Sequence, residues 1–161
     1  MGINRPVAMT KNETISFLAL IGNIFKKSVN FANRKQSYIM QIQIGKEKLE
    51  EVIVDAITDR KGRDITIVDM TAIESAPLSE FIIAQGSSKM NVAGIADRVR
   101  EKVQEVLGLK PYNYDGYTAG EWIVIDYGHL LVHIFLPEIR ERYRLEELWS
   151  DATITDLPNT D

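Results

Sequence analysis

The chain has 161 residues, 45% of them apolar and 26% charged, which is ordinary composition for about one globular domain able to bury a core. It contains no cysteine, which excludes disulfides, thiolate metal sites and cysteine nucleophiles, and no apolar run approaches the roughly 20 residues that span a bilayer. The net charge of −4 conceals an asymmetry: residues 1 to 39 hold six basic residues (Arg5, Lys11, Lys26, Lys27, Arg34, Lys35) and one acid (Glu13), and residues 40 to 161 carry −9. Such an acidic body repels nucleic-acid phosphates, so little direct RNA contact is expected, and it suits a basic protein partner.

The basic piece, residues 1 to 44, admits three readings. Its stretch ISFLALIGNIF, residues 15 to 25, follows Lys11 like a short signal core, but no small-x-small cleavage site precedes Lys26 and Lys27. It also resembles an acid-poor amphipathic organelle leader. The plainest reading is a poorly ordered extension, followed by a domain over 45–152 and a C-terminal tail over 153–161.

In KEKLEEVIVDAITDRKG, residues 46 to 62, Leu49, Val52, Ile53, Ala56 and Ile57 recur at helical spacing, with Gly62 where a C-cap belongs. DITIVDM, 64 to 70, is short and β-branched, so it reads as a buried strand, and the loop at 71 to 79 breaks at Pro77. A second strand, FIIAQG, spans 81 to 86. The helix expected over 87 to 108 aligns Val92, Ile95, Val99, Val103, Val106 and Leu107 and stops at Gly108, and 109 to 120 is turn-rich. Strand, helix and strand in that order imply a crossover with parallel pairing, hence a small α/β domain with a mixed sheet and flanking helices.

EWIVIDYGHLLVHIF, 121 to 135, reads as an antiparallel hairpin. A two-residue turn at Tyr127-Gly128 would set Asp126 opposite His129, Val124 opposite Leu131 and Trp122 opposite His133. Ile123, Ile125, Leu130, Val132 and Ile134 then form a purely aliphatic face that must be core. The other face, with Trp122, Asp126, His129 and His133, suits a half-buried or contact surface. The two histidines lie about 13 Å apart along a strand at roughly 3.3 Å per residue, too far to share a metal ion. No metal, cofactor or catalytic residue is expected: there is no G-x-S-x-G elbow, and Gly86-Ser87-Ser88-Lys89 lacks the spacing of a phosphate loop and reads as a strand end with a serine N-cap.

DITIVDM, SEFIIAQGSS, the helix containing IADRV, EWIVIDYGHLLVHIF and ERYRLEELWSDA, in this order, resemble the ribosomal silencing factor family, also called Iojap, over about Leu49 to Ala152. The most diagnostic part is W-I-V-x-D-x-G followed by V-H and then Y-x-L-E-x-L-W, present as Trp122, Asp126, Gly128, Val132, His133, Tyr143, Leu145, Glu146, Leu148 and Trp149.

The resemblance implies a nucleotidyltransferase-like fold that has lost its chemistry, with a nucleotidyltransferase-like enzyme of degenerate or atypical metal site as the alternative reading. Nucleotidyltransferases pair two carboxylates one residue apart on a strand to hold magnesium; here the strand offers Asp126 but position 124 is valine, and Glu121 points to the opposite face. It further implies a cytoplasmic translational repressor, a monomer or weak homodimer, that binds a basic protein of the large ribosomal subunit, the fourteenth, and blocks joining of the small subunit. In that interface Trp122 would be the aromatic anchor, Tyr127 would extend it, and Asp126 and Glu121 would accept partner Lys or Arg. The alternative for Trp122 is packing under a helix. The family's usual aspartate after the hairpin glycine is His129 here, which places a pH-dependent group in the contact. Ser79-Glu80 replaces the usual threonine-aspartate. The segment 137 to 149, with Pro137 at N1, is expected to cap the core.

Overall fold

The computed structural model describes residues 45 to 160 except 75, 77 and 150, so the basic extension lies outside the described residues. The apolar stripe of KEKLEEVIVDAITD forms helix α1, Lys46–Asp59, which buries Leu49, Ile53, Ala56 and Ile57. The chain turns through Lys61, at φ 58°, into strand β1, Arg63–Asp69. Gly62 is not the cap of the helix. It is required because a Cβ there would strike the Ile57 side chain.

Strand β2, Glu80–Gln85, follows, and then helix α2, Lys89–Leu107. Ser88 caps α2 by accepting the Asn91 N–H at 3.1 Å, and Gly108 ends it in the left-handed conformation, as the sequence indicates. The turn-rich segment contributes a short strand β3, Asn113–Asp115. Strands β4, Trp122–Asp126, and β5, Leu130–Phe135, form the hairpin, followed by helices α3, Pro137–Tyr143, and α4, Leu145–Leu148, and strand β6, Thr153–Asp156.

The six strands form one mixed sheet in the order β3-β4-β5-β2-β1-β6. The expected parallel pair exists, but it joins β2 to β5, the second strand of the hairpin. The four other ladders are antiparallel. β5 is buried along its whole length and therefore takes the centre of the sheet, where both faces are covered, whereas β4 begins at the half-buried Trp122 and lies one strand further out. Residues 153 to 156, expected as tail, continue the sheet beside β1, where the Thr66 hydroxyl donates to Asp156 Oδ1 at 2.6 Å.

Each face of the sheet carries its own apolar core. α1 and α2 cover one, which contains Ile82, Ile123, Ile125, Val132 and Ile134. The other contains Phe81, Ile83, Val124, Leu131 and Phe135, with Ile139, Leu145 and Trp149 of the C-terminal segment packed on it. That segment caps the core as the sequence suggests, and Arg140 fixes it by bonding both Glu146, at 2.7 Å, and the Thr66 hydroxyl, at 2.9 Å.

Candidate functional site

The hairpin faces are assigned as the alternation requires, but the register differs by two residues. Asp126 pairs with Leu131, Val124 with His133 and Trp122 with Phe135. The turn is Gly128-His129, closed by the Tyr127 N–H donating to the Leu130 carbonyl at 2.9 Å. Gly128 stands first in this turn with φ 97°, a left-handed conformation that suits glycine, and a Cβ there would also meet the Tyr112 ring at 2.8 Å. The Asp126 carboxylate accepts the Gly128 N–H at 2.7 Å. It is 1% exposed.

This register redistributes the residues expected at a contact surface. Tyr127 is fully buried in the helix-side core, so it does not extend an interface; burial pushes its phenol far up from the ordinary value. Asp126 likewise is corrected from a partner-facing acceptor to a group that fixes the turn. Trp122, Glu121 and His129 keep access to solvent. Glu121 pairs with Lys89 at 2.9 Å across the start of α2. The His129 carbonyl accepts the N–H groups of Ser79 and Glu80 at 2.9 and 3.2 Å, tying the turn to the start of β2. Burial, and then the charge of Lys46, lower the pKa of the His129 ring from its ordinary value.

Trp122 sits at the rim of the second core. Its indole stacks on Phe135, with centroids 4.8 Å apart and planes at 23°, and leans on Tyr143 of α3 at 5.0 Å. Its Nε1 donates to His133 Nδ1 at 3.2 Å. Trp122 therefore packs against a helix, the second of its two expected roles, and stays half-buried. His133 is wholly enclosed, and burial drives its pKa down to about 3.

The sequence gives no hint of a charged cluster on the other face. Asp69 and Glu80 are ladder partners, and Lys46 at the start of α1 reaches both, at 3.2 and 2.6 Å. Burial raises Glu80 to about 7; the ammonium of Lys46 opposes this and Glu50 adds to it. Only the β1–β2 register brings these residues together from positions 46, 69 and 80, so no local spacing announces them.

The residues of both chemical motifs make structural contacts. In the Gly86-Ser87-Ser88-Lys89 turn, Ser87 N–H donates to Asn91 Oδ1 at 2.9 Å, Ser88 caps α2 and Lys89 pairs with Glu121. Position 124, where a second metal-holding carboxylate would stand, is a buried valine. Among the described residues no group of three or more His, Asp or Glu side chains could hold a metal ion.

Residues 44–161 match the family model described as ribosomal silencing factor during starvation. The chain belongs to the ribosomal silencing factor family. A ribosomal silencing factor RsfS from Chromobacterium violaceum is 32% identical over 103 residues, 64% of this chain and 83% of the relative, and one from Bacillus subtilis is 30% identical over 71% of this chain and 95% of its own length. A mouse relative named mitochondrial assembly of ribosomal large subunit protein 1 is 29% identical over 66% of this chain and 47% of its own. Among solved structures, a crystal structure of a C. violaceum protein superposes with a TM-score of 0.60 at 32% identity, covering 64% of this chain and 84% of that one. Trp122 and the residues that hold it form a half-buried aromatic group beside the hairpin.

Proposed function

We propose that the chain is a translational repressor that docks, without catalysis, on the large ribosomal subunit through a basic protein there, the fourteenth, at the surface that meets the small subunit. Occupying that surface excludes the small subunit by steric overlap. The family supports the ribosomal role, and the name of the mouse relative points to the large subunit. The observation that carries the docking site is Trp122: a half-buried indole fixed on three sides by Phe135, Tyr143 and His133. Large, immobilised aromatics of this kind dominate binding energy because little side-chain freedom is left to lose on contact.

Glu121 and His129 flank the anchor in the proposal, and Asp126 and Tyr127 serve it from inside by holding the hairpin. The charge of −9 on residues 40 to 161 complements a cationic partner. A cytoplasmic place of action is part of the proposal; separately, no helix among the described residues is long and apolar enough to cross a membrane.

The test is capture of the purified chain by dissociated ribosomal subunits. The wild type is expected to sediment with large subunits alone and to reduce their joining with small ones. Trp122→Ala should weaken capture by about 30-fold, the size of a hot-spot loss. It also removes part of the stack, at a cost of roughly 2 to 3 kcal/mol in stability, so capture is measured well below the unfolding temperature. Equal capture by wild type and Trp122→Ala would remove Trp122 from the site, and sedimentation apart from large subunits would end the proposal.

A further inference from the structure

His133 projects from β5 into the second core with 0% exposure. It lies diagonally across the hairpin from Trp122, since Val124 is its direct partner and Phe135 is that of Trp122. Diagonal neighbours are within reach of long aromatic side chains. Its Nδ1 accepts the indole N–H at 3.2 Å. A neutral imidazole has one acceptor and one donor, so Nε2 carries the proton.

That second nitrogen is the informative one. Nε2 is buried and finds no hydrogen-bond partner among the described residues. An enclosed donor left unmade is a cost to the fold, and a leucine at this position, next to Phe81 and Phe135, would avoid it. What offsets the cost is therefore to be sought at the other nitrogen. Stacking on Phe135 and contact with Tyr143 limit the tilt of the indole but leave it able to slide and turn within its own plane. A bond at the ring edge removes that freedom. The imidazole is itself locked, edge-on to Phe81 at 4.8 Å and nearly parallel to Phe135 at 6.1 Å.

We infer that His133 is a positioning residue for docking: its Nδ1 fixes the in-plane orientation of the Trp122 indole, so that the exposed edge meets a partner already oriented. The inference rests on the docking role proposed for Trp122. Burial holds the imidazole uncharged well below neutral pH, which keeps Nδ1 available as an acceptor.

The test compares His133→Leu, His133→Asn and Trp122→Ala in the full-length chain. The measurements are affinity for purified large ribosomal subunits, the indole N–H resonance of Trp122 and stability in urea. His133→Leu is expected to be as stable as the wild type or more so, to shift the Trp122 indole resonance and to bind about threefold to tenfold more weakly, the worth of one net hydrogen bond. His133→Asn, whose Oδ1 falls near the position of Nδ1, should restore both resonance and affinity. Wild-type affinity in His133→Leu, with Trp122→Ala weakened, would overturn the positioning role and leave the docking site standing. Wild-type affinity in Trp122→Ala would instead refute the docking site. If His133→Leu does not fold, His133→Asn is compared with His133→Gln, whose oxygen reaches past Nδ1, and equal affinity of these two would overturn the inference.

Discussion

His133 gives the protein a pH dependence whose sign follows from its environment. Its folded pKa lies near 3, below the ordinary 6.5. The native state thus binds fewer protons than the unfolded chain in this interval, and the stability contribution is complete above about pH 6.5 and lost as pH falls toward 3. By pH 4 the loss is about 3 kcal/mol. Glu80 acts in the opposite sense, since its raised pKa favours the fold at low pH and withdraws that benefit as pH rises from about 4.5 to 7. Subtracting the urea unfolding free energy of His133→Asn from that of wild type between pH 4 and 7 isolates the histidine, because Glu80 faces the opposite core and is common to both. A difference that does not change with pH would contradict the buried neutral ring.

At the scale of elements, the hairpin and the α2 cap make separate predictions. Gly128→Ala places a Cβ at a left-handed φ and against Tyr112, so it should cost roughly 1 to 3 kcal/mol. The loss would appear as a lower urea midpoint and as selective hydrogen exchange in β4 and β5. Ser88→Ala removes only the N-cap bond and should cost about 1 kcal/mol, with exchange rising in the first turn of α2 alone. The two helices and the strands β1 and β2 were legible because period and terminators agree: Ser88 and Gly108 bound α2, and an aliphatic run marks each strand. The hairpin turn was misplaced by one residue at each end because Tyr127-Gly128 and Gly128-His129 preserve the same alternation. The bond from the Tyr127 N–H to the Leu130 carbonyl, with Tyr127 drawn into the helix-side core, separates them.

For the molecule as a whole, long-range charge and the outer strand are the testable quantities. If docking is steered by the acidic body, affinity for large subunits should fall several-fold when ionic strength rises from 50 to 300 mM, while urea stability changes little; affinity indifferent to salt would argue for a purely apolar contact. Removing residues 153 to 161 deletes β6 and bares the edge of β1. The truncated chain is expected to unfold at lower temperature and to associate through that edge, and an unchanged midpoint would show β6 to be dispensable.

Local pattern, which depends only on neighbours a few residues away, was enough to determine the α/β class, most helix and strand positions, which hairpin residues face the helices, and the motifs of the family. The tertiary structure alone decided that β2 pairs with β5, that residues 153 to 156 are a sixth strand, that Tyr127 and Asp126 lie inside, and that His133 holds Trp122. Each of these depends on contacts between positions distant along the chain, chosen by which strand can be covered on both faces and by how two cores close over one sheet.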